Sequence, residues 1–364
     1  MIRDRKKSLI VIFCCVMVAS LAVFIGIGMA RKDRTNPALT QNYENDVFYK
    51  DTVNLTENVA EPEPQEDKGN WKANPLRGVL EPEDTLHAYY AVIIDNLKSA
   101  RPQYGISLAP LVYEMPAEGG VTRFLAVFDS AEVDKIGPVR SARPYFIDKA
   151  REHGGLMLVH CGGSPEALSI ISKEPYPTMN EMTNGDYFFR DRERKAPHNL
   201  FVSAEQIVKY AKVRRYSTDK IRSGLKFGFS EAEHEDLEAV NEVGLKYYAG
   251  YTVKWKYDED SELYTRYIND SVHVDEGNLA PVEASNVIVQ FMSYKVLDDE
   301  GRIEFSSSPS GKSVVLTGGT KTLCKWKRNS DGTTTFEDEN GQVRLNEGTT
   351  WIQVIPSESG VSYE

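Results

Sequence analysis

The spacing of apolar residues divides the chain into four stretches. From Ser8 to Met29 twenty-two residues pass without a charge, directly behind Arg3, Arg5, Lys6 and Lys7. A helix of that length rises about 33 Å, enough to cross a hydrocarbon core of roughly 30 Å, which predicts a membrane segment at residues 8–29. Residues 31–84 carry few large apolar side chains and an acidic, proline-rich centre from Glu61 to Asp67. Such a stretch buries too little surface to order itself, so it predicts a flexible, charge-extended stalk. From 85 to 235 apolar runs alternate with helix-like segments, which predicts an α/β domain. From 236 to 364 short alternating runs broken by turns predict a mainly antiparallel β domain.

Within the first of these domains, AYYAVIID at 88–95 reads as a buried strand that delivers Asp95 and Asn96 at its end. VTRFLAVF at 121–128 alternates so that Arg123 faces away from Thr122 and Phe124, and LMLVHC at 156–161 returns as a further strand. Pro144 suits the first turn of a helix that continues through Tyr145, Phe146, Lys149 and Ala150. The Gly162-Gly163 turn feeds another, with Ser164 as cap and Pro165 and Glu166 in its first turn. Ser203 with Gln206 forms a capping-box pattern for a last helix. In the second domain Val253, Trp255 and Tyr257 alternate before a turn and a return from Tyr264 to Tyr267, the pattern of a hairpin. Residues 286–298 read as one long strand, Ser330-Asp331-Gly332 as a turn, and TWIQVIP at 350–356 as the final strand. Trp255, Trp326 and Trp351 read as core or sheet-face residues.

The basic cluster before the apolar run favours an N-terminus inside and a body outside the membrane. The run exceeds the roughly 7–15 residues of a cleavable signal, which favours a retained anchor, although Gly28-Met29-Ala30 would suit a signal peptidase. Lipid modification would need a cysteine at the far end of the run, and Cys14 and Cys15 sit in its middle. The net charge of −11 argues against general nucleic-acid binding, which needs a basic face. Between Lys135 and Arg222, however, sixteen basic residues outnumber ten acidic ones, which predicts either a solvated surface of mixed charge or a patch for an anionic envelope polymer, phospholipid headgroups or an acidic partner protein. Cys161 and Cys324 are too few for a disulfide framework.

The run IGPVRSARPYFID from Ile136 to Asp148, with GGVTRFLAVF before it and HCGGSPEA and APHNLF after it, resembles the YerB-like family of Gram-positive envelope lipoproteins, domain of unknown function 3048. The ending LNEGTTWIQVIP, the NVIVQF strand and the Gly318-Gly319 segment resemble that family's C-terminal domain, so the resemblance spans roughly residues 75–356. It implies a protein held at the outer side of the cytoplasmic membrane and carries over no established activity. The chain departs from the family at its front, where no cysteine is placed for acylation.

Candidate chemistry gathers where strands and turns end: Asp95, Asn96, Arg123, Arg140, Ser141, Arg143, His160, Gly162, Gly163, Ser164, His198 and Asn199. In an open α/β sheet ligands lie outside the carboxyl ends of the strands, and the Gly-Gly turn opens a helix whose free N–H groups suit an anion. Arg140 and Arg143, with planar forks that hold carboxylate or phosphate at two points, complete an expected anion clamp. A hydrolase would instead use His160 or His198 as general base, oriented by Asp95 or Asp148, or Cys161 as nucleophile. Adjacent strand residues point to opposite faces, which argues against a Cys161–His160 pair and for a buried Cys161. His160, His198, Asp95 and Glu118 lack metal-ligand spacing. No phosphate loop, zinc-type cysteine pair or serine elbow occurs, so no cofactor is predicted. The sequence thus predicts a non-catalytic, membrane-anchored envelope protein that binds an anionic ligand or a partner protein, with an envelope hydrolase as the alternative.

Overall fold

A computed structural model describes residues 70–230 and 237–364. The apolar run 8–29 and the stalk up to residue 69 lie outside the described residues, and among the described residues no helix is long and apolar enough to cross a membrane. Residues 70–84, expected in the stalk, are folded. Trp71–Ala73 pairs antiparallel with Leu80–Pro82, and Leu76, in the loop that joins them, is fully buried in one core of the large sheet. Asn74 Oδ1 accepts from the Leu76 and Arg77 backbone N–H groups, while Arg77 grips Asp129. Local turn chemistry and one buried leucine order a segment whose composition alone reads as solvated.

One mixed sheet of twelve strands organises the body. Its strands include β1 (Tyr90–Asp95), β2 (Leu111–Ala117), β3 (Val121–Phe128), β4 (Leu158–His160) and β5 (Thr178–Asn180). A second, six-stranded sheet is built around the meander β6 (Glu242–Tyr248), β7 (Tyr251–Asp258) and β8 (Leu263–Ile268). The chain then returns to the first sheet with β9 (Asn286–Phe291), β10 (Ser310–Thr317), β11 (Thr320–Arg328), β12 (Thr334–Asp338), β13 (Gly341–Gln342) and β14 (Thr350–Ile355). The order across the large sheet is β13-β12-β11-β10-β9-β14-β2-β3-β1-β4-β5, with Glu238–Ala239 beside β11. Strands from both predicted domains therefore pair in one sheet, joined where β14 runs parallel to β2 from Thr350 opposite Leu111 to Gln353 opposite Glu114. Residues 286–298 break after Phe291, because Tyr294–Val296 leaves the sheet to pair with Ile303–Phe305.

The helices are α1 (Pro144–Glu152), α2 (Pro165–Lys173), the single turn α3 (Glu181–Asn184) and α4 (Ala204–Arg214). Their starts follow the sequence signals: proline opens α1 and α2, Ser164 Oγ accepts from the Ala167 N–H, and Ser203 Oγ from the Gln206 N–H.

Both faces of the large sheet are covered, so its central strands are buried along nearly their whole length. Tyr90, Val92 and Ile94 of β1 and Phe124, Ala126 and Phe128 of β3 enter one core with Trp255 of the second sheet and Ile207 of α4. Ala91, Ile93, Leu125 and Val127 enter the other core with Phe146 and Ile147 of α1 and Ala167 of α2. Trp255 and Trp351 are fully buried edge to face with ring centroids 5.2 Å apart, and Trp326 is buried with its Nε1 donating to the Phe291 carbonyl.

β2, β1, β4, β5, β9 and β14 all run the same way, with β3 alone reversed among them. The carboxyl ends of six strands therefore share one rim.

Candidate functional site

The segment Val139–Ala142 is strung across that rim and brings the arginines to it. The Val139 N–H donates to Leu200 O, the Arg140 N–H to Ile93 O and the Ala142 N–H to Gly162 O, while Arg140 O accepts from the Cys161 N–H. These bonds stitch β1, the turn after β4 and the loop before α4 to one strip of backbone. Gly162 holds φ +63, a left-handed turn suited to glycine, with its N–H on Asn180 Oδ1.

Asp95, 1% exposed at the end of β1, is the hub. Its Oδ1 accepts from the Leu97 N–H at 3.0 Å. Its Oδ2 lies 2.7 Å from His198 Nδ1 and 3.0 Å from Arg140 Nε. The His198 contact is a hydrogen bond, whereas Arg140 Nε is close enough for an ion pair without being aligned to donate. Among the described residues His198 Nε2 and the two terminal amino groups of Arg140 have no hydrogen-bond partner. With Nδ1 fixed on the carboxylate, the other face of the imidazole stays free to donate or accept.

Arg123 stands opposite Asp95 across the β1–β3 pairing and feels its charge, but it and Arg143 make their direct carboxylate contacts elsewhere. Both turn to Glu118, Arg123 through Nη2 at 2.9 Å and Arg143 through Nε at 3.0 Å and through Nη2. Arg123 Nη1 also reaches the Ser141 carbonyl. The expected Arg140–Arg143 clamp is therefore divided between two carboxylates.

Several predicted residues serve the framework instead. Asn96 is buried and bonds Glu114, Thr122 and Tyr251 through its amide nitrogen. His160 is fully buried with Nδ1 on the Gly162 carbonyl, and burial pushes its pKa down. Ser164 caps α2, and Gly163 bridges Ala142. Asn199 accepts from Arg190, which also binds Glu181. Cys161 is half-buried rather than buried; its thiol donates to Glu181 at 3.2 Å, and burial followed by that neighbour raises its pKa to about 11, which disfavours the thiolate. Asp148 lies on α1 in an ion pair with Arg151. The metal set is dispersed: Glu118 serves arginines, His160 serves a carbonyl, and among the described residues no group of three or more His, Cys, Asp or Glu is placed to hold an ion. Glu118 as the arginines' counter-charge, Glu181 and Arg190 around Cys161, and the Tyr145 hydroxyl escaped the sequence reading, because turns and chain crossings rather than a fixed spacing bring them together.

The chain matches the family described as "Protein of unknown function (DUF3048) N-terminal domain" over residues 76–217 and its C-terminal domain over residues 243–352. It is 31% identical over 286 residues to "Putative lipoprotein YerB" of Bacillus subtilis (strain 168), which covers 78% of this chain and 86% of that protein. It is similar to the crystal structure of YerB protein from Bacillus subtilis, with a TM-score of 0.73 and 29% identity over 80% of this chain and 99% of that one. On these matches, which follow the chain through both halves of the fold, this protein belongs to the DUF3048 family.

Proposed function

We propose that this chain is a membrane-attached envelope protein whose folded body lies outside the cytoplasmic membrane and grips an anionic envelope component through Arg140 and His198. The observation that carries the binding role is the Asp95 carboxylate, whose Oδ2 bonds His198 Nδ1 and ion-pairs with Arg140, leaving the terminal N–H groups of Arg140 and the His198 Nε2 atom unpartnered among the described residues. A preoriented guanidinium beside a preoriented imidazole suits an oxyanion, because neither side chain must be ordered when the ligand arrives. Attachment is supported by the basic cluster and apolar run at residues 3–29 and by the lipoprotein description of the Bacillus subtilis relative.

The location is tested with protease added to intact protoplasts, where digestion of the folded body is expected and its survival contradicts the outward orientation. The binding role is tested by co-sedimentation of the full-length chain with sacculi that retain their anionic polymers. Arg140→Gln with His198→Gln is expected to lower the bound fraction about tenfold, and unchanged binding contradicts the proposal.

The 2.7 Å Asp95–His198 contact favours one second reading, a hydrolase with His198 as general base. Release of soluble fragments from sacculi by the unchanged chain, abolished in His198→Gln, would establish that reading in place of simple binding.

A further inference from the structure

Arg123 and Arg143 converge on one carboxylate. Arg123 Nη2 and Arg143 Nη2 share Glu118 Oε1, and Arg143 Nε takes Oε2. Arg123 is 5% exposed and the Arg143 side chain 13%, so two guanidiniums sit largely out of water with a single direct counter-charge. Two more donors in the same place lack an acceptor. Among the described residues Arg123 Nε and the Tyr145 hydroxyl are buried without a hydrogen-bond partner, and both guanidiniums act electrostatically on that hydroxyl. Buried donors are nearly always satisfied, so two orphans beside a two-arginine cluster mark an acceptor that is missing. The start of α1 adds to the positive field, since Arg143 gives it no side-chain cap and its first turn contains no acidic residue.

Glu118 is placed to leave. It follows β2 at the tip of the β2–β3 hairpin, with its side chain 20% exposed. Gly119 and Gly120 come next, both at positive φ; a Cβ added to the first would meet nothing and one added to the second only the Tyr248 ring, while Gly301 lies beside Gly119 N and Glu118 Cβ. The carboxylate can swing into solvent on this tip without disturbing either core.

We propose that Arg123, Arg143 and Tyr145 form a phosphoryl-binding pocket, filled by Glu118 as an internal stand-in until a phosphate group displaces it. Donor counting selects phosphoryl over carboxylate. The two oxygens of Glu118 serve Arg143 Nε, Arg143 Nη2 and Arg123 Nη2 and leave Arg123 Nε and the Tyr145 hydroxyl empty. A phosphate monoester offers a third oxygen and more charge to the same donors. The pocket stands on a different carboxylate from the Asp95-held pair and does not depend on the function proposed for that pair.

The test is calorimetric titration of the full-length, detergent-solubilised chain with inorganic phosphate at fixed ionic strength. Glu118→Gln is expected to bind phosphate about tenfold tighter than the unchanged chain, because the competing charge is gone. Adding Tyr145→Phe is expected to return most of that gain. Acetate is expected to bind more weakly than phosphate. Glu118→Gln that binds phosphate no tighter, a gain insensitive to Tyr145→Phe, or equal affinity for acetate overturns the proposal. Should Glu118→Gln fail to fold, Tyr145→Phe in the otherwise unchanged chain decides: weaker phosphate binding supports the pocket and equal binding overturns it. Glycerol phosphate and phosphatidylglycerol vesicles, compared in the same titration, distinguish a soluble phosphate from a lipid headgroup.

Discussion

Asp95 Oδ2 carries more of this account than any other atom, and its charge rather than its shape is what Arg140 and His198 require. Asp95→Asn keeps the volume but leaves the guanidinium and the imidazole without their anion. We expect a loss of about 3 kcal/mol in urea unfolding, the range for breaking a buried ion pair. His198→Gln, whose side chain is partly exposed, should lose less than about 1 kcal/mol. Equal losses would contradict the hub role. His153, His160 and His273 offer a second residue-scale test. Burial lowers the pKa of each, most strongly for His273, where Arg266 and Arg101 add to the effect. The folded rings stay neutral while the unfolded rings take up protons near pH 6.5, so stability is full above that pH and falls below it. Each ring contributes about 1.4 kcal/mol per pH unit until its folded pKa is reached. Urea midpoints from pH 7.5 to 5.5 should therefore drop, and a flat profile would contradict the burial of these rings. At this scale the sequence names residues that the fold gathers near one rim, but not the pairings among them. Asp95 and His198 are 103 positions apart, and the division of the arginines between Asp95 and Glu118 follows from the crossing of Val139–Ala142.

The helices were the most legible elements, because their start signals are local. Ser164 and Ser203 cap as their patterns predict. Ser164→Ala should lower thermal stability by about 1 kcal/mol without changing binding at the rim, as calorimetry and co-sedimentation would show. Strands were harder where the pattern is interrupted. β2 was not read from the sequence; it contains Glu114 and Pro116, yet all seven of its residues are buried. Glu114 is tolerated there because Arg266 of β8 meets it at 2.6 Å, a partner that sequence spacing cannot reveal. The strand predicted across 286–298 fails for the opposite reason: continuous β propensity hides the point at which the chain leaves one sheet for another pairing.

For the whole molecule, the large sheet and the meander sheet are joined by a core of aromatic residues and by the fully buried Glu114–Arg266 pair, with Tyr251 and Asn96 bonded to Glu114 Oε1. Glu114→Gln leaves Arg266 uncompensated and should destabilise the chain by about 3–5 kcal/mol, whereas Glu114→Leu combined with Arg266→Met should recover much of that loss. Additive losses in the double variant would contradict a coupled pair. The sequence revealed two textures of chain, but the sheet they share was not legible, since β14 pairs with β2 across more than two hundred residues. That shared sheet aligns six strand ends on one rim, where Asp95 meets Arg140 and His198. The most direct test of the binding role is the long-range proton–nitrogen NMR signal of the His198 ring during titration of the full-length chain with poly(glycerol phosphate). The account predicts a saturable shift at Nε2, with Nδ1 still on Asp95, that disappears in Arg140→Gln; an Nε2 signal that never moves would contradict it.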